Sequence, residues 1–248
     1  MSLAGVAVIG LAVGFLAGLF GKGGSAIATP LLHAVGVPAI VAVAAPLPAT
    51  IPSTLAASVP YRRQHLIDPE VLRWSLVFGL PATVAGAVLT RWISGVILVR
   101  VTDVVIAGLG LRFLLRPPEG RAPPPGAPAF YQLRLAVVAV VVGLASGLLA
   151  NSGGFLLAPL YLVVLRLPIR VAFACSLAVA AALAVPGTLV HWALGHIDWT
   201  VVAVFGATSI PLSYLGARVA LRESSTQLER IYGGVLAVLG VVFFLRRG

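Results

Sequence analysis

Two pieces of this 248-residue chain are copies of one another, and each opens on an apolar run that breaks at small residues: GFLAGLFGKGG from Gly14 and GLASGLLANSGG from Gly143. At a shift of 129 residues Gly14, Gly18, Leu19, Gly24, Pro30 and Leu31 fall on Gly143, Gly147, Leu148, Gly153, Pro159 and Leu160. After one inserted residue the shift is 130, and identities continue from Pro38, Val41 and Ala42 through Asp68, Pro81 and Gly86 to Arg116. Paired halves with Gly-interrupted apolar segments are the sequence outline of a secondary transporter.

The solvent for this fold is lipid. Hydrophobic residues make up 60% of the chain and charged residues 10%, and the mean hydropathy is +1.07, outside the range of soluble domains. The single cysteine, Cys175, excludes a disulfide framework and any multi-cysteine metal site. A net charge of +10 does not point to nucleic acid, because the arginines are spread over segment ends instead of one face. The first apolar stretch lacks a basic leader and a small-residue cleavage pattern, so it is expected to be retained.

Apolar segments are expected at 3–20, 24–36, 38–59, 71–92, 96–115, 132–150, 153–166, 168–192, 199–221 and 229–246, five per half. An odd number sends the second half into the membrane from the opposite side. The expected fold is therefore an all-α polytopic membrane protein of two inverted repeats, residues 1–116 and 130–248. The proline-rich stretch RPPEGRAPPPGAP from Arg116 cannot span and supplies a cytoplasmic linker, 117–129. With the N-terminus outside, 13 of the 17 lysines and arginines fall at cytoplasmic ends, and only Arg91, Arg100, Arg246 and Arg247 fall outside, the asymmetry that orients membrane proteins. Segments 24–36 and 153–166 would be only about 20 Å long as helices against a hydrocarbon core of about 30 Å. They are either tilted short spans or halves of re-entrant hairpins.

The first candidate site is Gly21, Lys22, Gly23 and Gly24 with its counterpart Asn151, Ser152, Gly153 and Gly154. A glycine break frees backbone N–H groups, and the following helix N-terminus carries a partial positive charge that suits an anion. Irregular backbone at membrane depth survives only when buried in protein or facing water. The competing role, close helix packing, accounts well for Gly14, Gly18, Gly143 and Gly147. Lys22 either faces an anion at the turn or snorkels to the surface. The second candidate lies on the third segment of each half: Pro46, Pro48, Thr50, Pro52, Ser53 and Thr54, and opposite them Cys175, Ser176, Pro186, Gly187 and Thr188. Prolines expose carbonyls and hydroxyls replace water around an oxyanion, although a hydroxyl also bonds its own helix.

Ionisable groups limit the mechanism. Asp68 and Asp198 occupy matching turns and are expected to cap the next helix, while Asp103 is placed to pair with Arg100 one turn earlier. There is no HExxH, no nucleophile elbow and no GxxxxGK[ST], and the 7 carboxylates form no paired site, so an enzyme is not expected. No cofactor and no metal are implied. The residues suit a secondary transporter of a small anion working between the halves, with an anion channel or an intramembrane enzyme as alternatives.

GLAVGFLAGLFGKGGSAIATPLL with GVPAIVAVAAPLPATIPSTLAASVPYRRQHLID, and GLASGLLANSGGFLLAPLYLVVLRLPIRVAFACSLAVAAALAVPGTLVHWALGHIDW, resemble the two halves of the sulfite exporter TauE/SafE family, also called the 4-toluene sulfonate uptake permeases. The resemblance covers nearly the whole chain and rests on the order of its short Gly-rich motifs and on the repeat. It implies transport of sulfite, sulfonates or related organosulfur anions across a bacterial plasma membrane, with a proton or sodium ion as a possible coupling partner. The chain departs from the family pattern at Lys22 and at Asn151-Ser152, where further apolar or glycine residues are usual.

Overall fold

The computed structural model describes residues 2–21, 25–89, 128–148 and 152–245. The expected segment 96–115, most of the linker, and Lys22, Gly23, Gly24 and Asn151 lie outside them, as does the Asp103–Arg100 pair. Every regular element among the described residues is a helix: α1 (Leu3–Phe20), α2 (Ser25–Ala34), α3 (Ala39–Ala44), α4 (Pro46–Arg63), α5 (Pro69–Leu89), α6 (Pro128–Leu148), α7 (Gly154–Val163), α8 (Ile169–Ala193), α9 (Trp199–Arg222) and α10 (Ser225–Leu245). Six stretches, Leu3–Phe20, Ile40–Arg63, Pro69–Leu89, Phe130–Leu148, Ile169–Ala193 and Trp199–Arg222, are long and apolar enough to cross a bilayer. This is an all-α polytopic membrane fold.

Local chemistry sets the helix ends. Ser2 caps α1 by accepting a hydrogen bond from the Gly5 N–H at 3.2 Å. Gly21 closes the same helix in the left-handed region (φ 63°), its N–H donating to the Ala17 carbonyl, a conformation that a Cβ disfavours. Asp68 Oδ1 accepts from the N–H groups of Glu70 and Val71 at 2.8 and 3.1 Å, and Asp198 Oδ1 from those of Thr200 and Val201 at 2.9 and 3.2 Å. Both matched aspartates are therefore the helix caps that the sequence predicts. The stretch expected as one segment over 38–59 is divided at Ala45 into α3 and α4. Pro46 has no N–H to continue the ladder, yet Ala45 keeps helical angles (φ −62°, ψ −33°), so the chain stays nearly straight. The equivalent position in the second half is Ser176, and α8 is unbroken there.

Glycines decide how the helices pair. Along α1, Gly10 abuts Phe205 and Thr208, Gly14 abuts Ser209, and Gly18 abuts Ser213 and Ala217 of α9. Along α6, Gly143 abuts Gly79 and Ala82, and Gly147 abuts Thr83 and Ala87 of α5. Gly216 of α9 meets Phe15, and Gly86 of α5 meets Leu144. Such backbone-to-backbone approach is the small-residue packing that membranes favour. The two seams exchange under the sequence repeat: the first helix of each half lies on a helix of the other half.

Contact registers fix the running directions. Numbers rise together between α1 and α9, between α5 and α6, and between α4 and α9, where Ala49 faces Gly206 and Ser53 bonds Ser209. They run oppositely between α4 and α8, where Leu47 faces Gly187 and the Asp68 N–H reaches Cys175. Hence α1, α4 and α9 point one way and α5, α6 and α8 the other. All the arginines among the described residues, Arg62, Arg63, Arg73, Arg134, Arg166, Arg170, Arg218, Arg222 and Arg230, then collect at one end of the bundle. The centre is α8, whose side chains from Ala172 to Leu177 and at Val179, Ala180, Leu183 and Ala184 are buried.

Candidate functional site

The second-half turn enters the protein interior. Ser152 is fully buried, Gly153 takes φ 68° as the residue before α7, and Gly154 and Phe155 are buried. A Cβ on Gly153 would stand 2.9 Å from Val142 Cγ1 and 3.3 Å from Leu183 Cδ1 and Ser146 Cβ. Leu183 lies 14 residues after the start of α8 and 10 before its end, about 21 and 15 Å along the axis. The N-terminus of α7 therefore sits near the middle of the central helix. The N–H groups of Leu156 and Leu157 turn back to the Gly153 carbonyl at 3.0 and 3.1 Å. The start of α7 thereby sets the positive end of a helix dipole at mid-depth.

The first-half turn begins at a different depth on the same helix. A Cβ on Gly21 would lie 2.6 Å from the Phe173 Cα, and the Ser176 hydroxyl donates to the Gly21 carbonyl and, at 3.0 Å, to the Phe173 carbonyl. Both turns thus rest on α8, about ten residues or 15 Å apart along it. Glycine is required at 21 and at 153 for both reasons at once, left-handed backbone and close neighbours. The first short segment, α2, returns to the start of α1, since Val35, which follows it, packs on Gly5 and the Val35 carbonyl accepts from the Ser2 N–H at 3.4 Å.

The hydroxyls divide into two groups. Thr50 Oγ1 donates to the Pro46 carbonyl and Thr54 Oγ1 to the Thr50 carbonyl, each at 2.8 Å, so both are held by their own helix. Ser53 crosses between helices: its Oγ lies 2.9 Å from Ser209 Oγ, and its carbonyl accepts from Ser213 Oγ at 2.7 Å. All three serines are buried. Their counterparts in the other half are Leu183, Gly79 and Thr83, and there Leu183 faces Gly79 with no hydroxyl on either side chain. The mid-depth crossing carries a side-chain hydrogen bond between helices in one half; in the other, Thr83 Oγ1 donates to the Gly79 carbonyl of its own helix at 2.8 Å. Sequence reasoning did not single out Ser209 and Ser213; their signal is the 130-residue correspondence with Gly79 and Thr83 on the glycine seam. Cys175 is buried, with Sγ 3.3 Å from the Asp68 N–H, and ties α8 to the turn before α5.

The candidate site is therefore built of backbone turns and hydroxyls in an apolar bundle, and no group of three or more His, Cys, Asp or Glu suited to a metal occurs among the described residues. The model of the sulfite exporter TauE/SafE family matches residues 6–243. The chain belongs to that family. It is 31% identical over 245 residues, covering 94% of this chain and 90% of the relative, to a probable membrane transporter protein of Xylella fastidiosa strain 9a5c. A probable membrane transporter protein of strain Temecula1 is 30% identical over the same extent. No solved structure matches the chain. The TauE/SafE match extends over both glycine seams and both broken turns, so the features described above belong to the family region of the chain.

Proposed function

We propose that this TauE/SafE member exports sulfite, sulfonates or related organosulfur anions across a bacterial plasma membrane by alternating exposure of a site between two inverted repeats, 1–116 and 130–248. The observation that carries this reading is the buried N-terminus of α7, opened by Ser152 and Gly153 at mid-depth, where a partial positive charge meets an apolar surround. The opposed directions of α1 and α6, of α4 and α8, and of α5 and α9 support the inverted arrangement. Gly21 to Gly24 with Asn151 to Gly154 supply the contacts, Lys22 adds charge, and Ser53 and Ser176 line the approaches from α4 and α8. The arginine-rich end faces the cytoplasm under the positive-inside rule.

Energetics set the direction. A potential of 100 mV, negative inside, favours exit of a monovalent anion by about 2.3 kcal/mol. Uniport therefore exports, and import requires a coupled proton or sodium ion. The test is flux of radiolabelled sulfite and a panel of sulfonates in proteoliposomes containing this protein alone, with counterflow to separate a carrier from a channel. Saturable flux with counterflow is expected. Gly153→Val should insert normally and carry no flux, since a β-branched side chain meets both the left-handed backbone and Val142; wild-type flux in that variant would place the site elsewhere.

A further inference from the structure

A second polar feature stands at the arginine-rich end, near the first-half turn and away from the N-terminus of α7. Tyr61 is fully buried near the end of α4, and its hydroxyl has no hydrogen-bond partner among the described residues. Arg170, in the first turn of α8, belongs to the helix that runs antiparallel beside α4, and Ile169, Ala172 and Phe173 around it share one buried cluster with Tyr61. Arg170 Nη2 donates to the Glu223 carbonyl at 2.6 Å, which fixes the guanidinium without neutralising it. Its Nε is buried and also has no partner among the described residues. A buried donor without an acceptor is costly, and here two of them stand at one end of the bundle.

The repeat sharpens the contrast. The counterpart of Tyr61 is His191, whose Nδ1 lies 3.2 Å from His196 Nδ1. The counterpart of His196 is Leu66, which offers no polar atom. The second-half position is supplied with a side-chain partner, and the first-half position has none among the described residues. A phenol O–H and a guanidinium N–H at one end of the bundle, neither with a partner among the described residues, suit an oxyanion with at least two acceptor oxygens, one for each donor. Phe173, one turn after Arg170 on α8, packs on Gly21, the residue before Lys22, so this position adjoins the first-half turn.

We infer that Tyr61 and Arg170 form an anion-binding station at the arginine-rich end of the transport route, which takes the substrate oxyanion by its oxygens before it reaches the mid-depth turn at Gly153. The inference rests on the transport reading above. Tyr61→Phe removes one oxygen atom and keeps the packing. Arg170→Lys keeps the charge and a donor for the Glu223 carbonyl but removes Nε.

The test measures radiolabelled sulfite flux from each face in proteoliposomes of determined orientation. In both variants the half-saturating concentration on the arginine-rich face should rise about tenfold, as expected for losing a hydrogen bond to a charged group. Tyr61→Phe should melt no lower than wild type, because the lost hydroxyl bonds no described residue. An unchanged half-saturation in Tyr61→Phe overturns the station and leaves the transport reading standing. Absence of saturable wild-type flux overturns the transport reading instead. Equilibrium binding of sulfite to the solubilised protein then decides the station: weaker binding in both variants sustains it, and equal binding, or none in wild type, overturns it.

Discussion

Gly18→Ala and Gly206→Ala make the same chemical change on two helices and should move stability in opposite directions. A Cβ on Gly18 would overlap the Ser213 carbonyl oxygen and stand 2.9 Å from the Ala217 nitrogen. Both neighbours are backbone, so no rotamer change relieves the clash and α1 must separate from α9. Overpacking of this kind costs about 1–3 kcal/mol, a backbone obstacle puts this case near the upper value, and the helix-propensity gain of about 0.8–1.0 kcal/mol leaves a net loss of about 2 kcal/mol. Gly206 lies within α9, and its nearest atom to an added Cβ is Ala49 Cβ at 3.6 Å, ordinary contact. There the substitution gains about 0.8–1.0 kcal/mol of helix propensity. At roughly 2–4 °C per kcal/mol for a chain of this size, Gly18→Ala should lower Tm by about 4–8 °C and Gly206→Ala should raise it by about 2–4 °C. The molecule carries its own reporter, since the single cysteine, Cys175, is buried and gains reactivity with a thiol-directed fluorophore on unfolding. Equal shifts in the two variants, or a wild-type Tm in Gly18→Ala, would refute the backbone-seam argument.

Ser53→Ala and Ser209→Ala should show a coupling of about 0.5–1.5 kcal/mol in a double-mutant cycle on thermal stability, the value of one buried hydrogen bond; additivity within about 0.3 kcal/mol would remove the cross-helix bond. Asp198→Ala should cost about 1 kcal/mol by loss of the α9 cap, measured in the same melt, with Asp198→Asn recovering most of it. In a Cys175→Ala background, a cysteine placed at Gly126 should stay unlabelled when an impermeant thiol reagent is applied to intact cells, and should label after permeabilisation; ready labelling of intact cells reverses the orientation.

The repeat, the two aspartate caps and the packing role of Gly14, Gly18, Gly143 and Gly147 were legible in the sequence because each depends on spacing or on the absence of a side chain. The pause at Ala45 was legible in principle from Pro46, but apolar character runs through it unbroken and masks it in a hydropathy reading. The fates of Ser53, Thr50 and Thr54 were not legible: three hydroxyls within five residues share one composition, and only the arrival of α9 decides that one crosses while two bond their own turn. Tyr61 and Arg170 were invisible for a related reason. They are 109 positions apart, and the missing partner at Leu66 has meaning only once His191 is seen beside His196.

The exchange of seams between halves has a consequence for how the protein is made. Glycines of α1 find their backbone neighbours only on α9, whose Ser209 and Ser213 are translated nearly two hundred residues later. At about 5–20 residues per second, α1 waits on the order of 10–40 s beside lipid with its grooved face unoccupied. Assembly is thus locked by the last third of the chain, and a ribosome that stops after the first half leaves a membrane helix without its mate. Separately expressed halves should each be cleared by membrane proteolysis and survive only when made together.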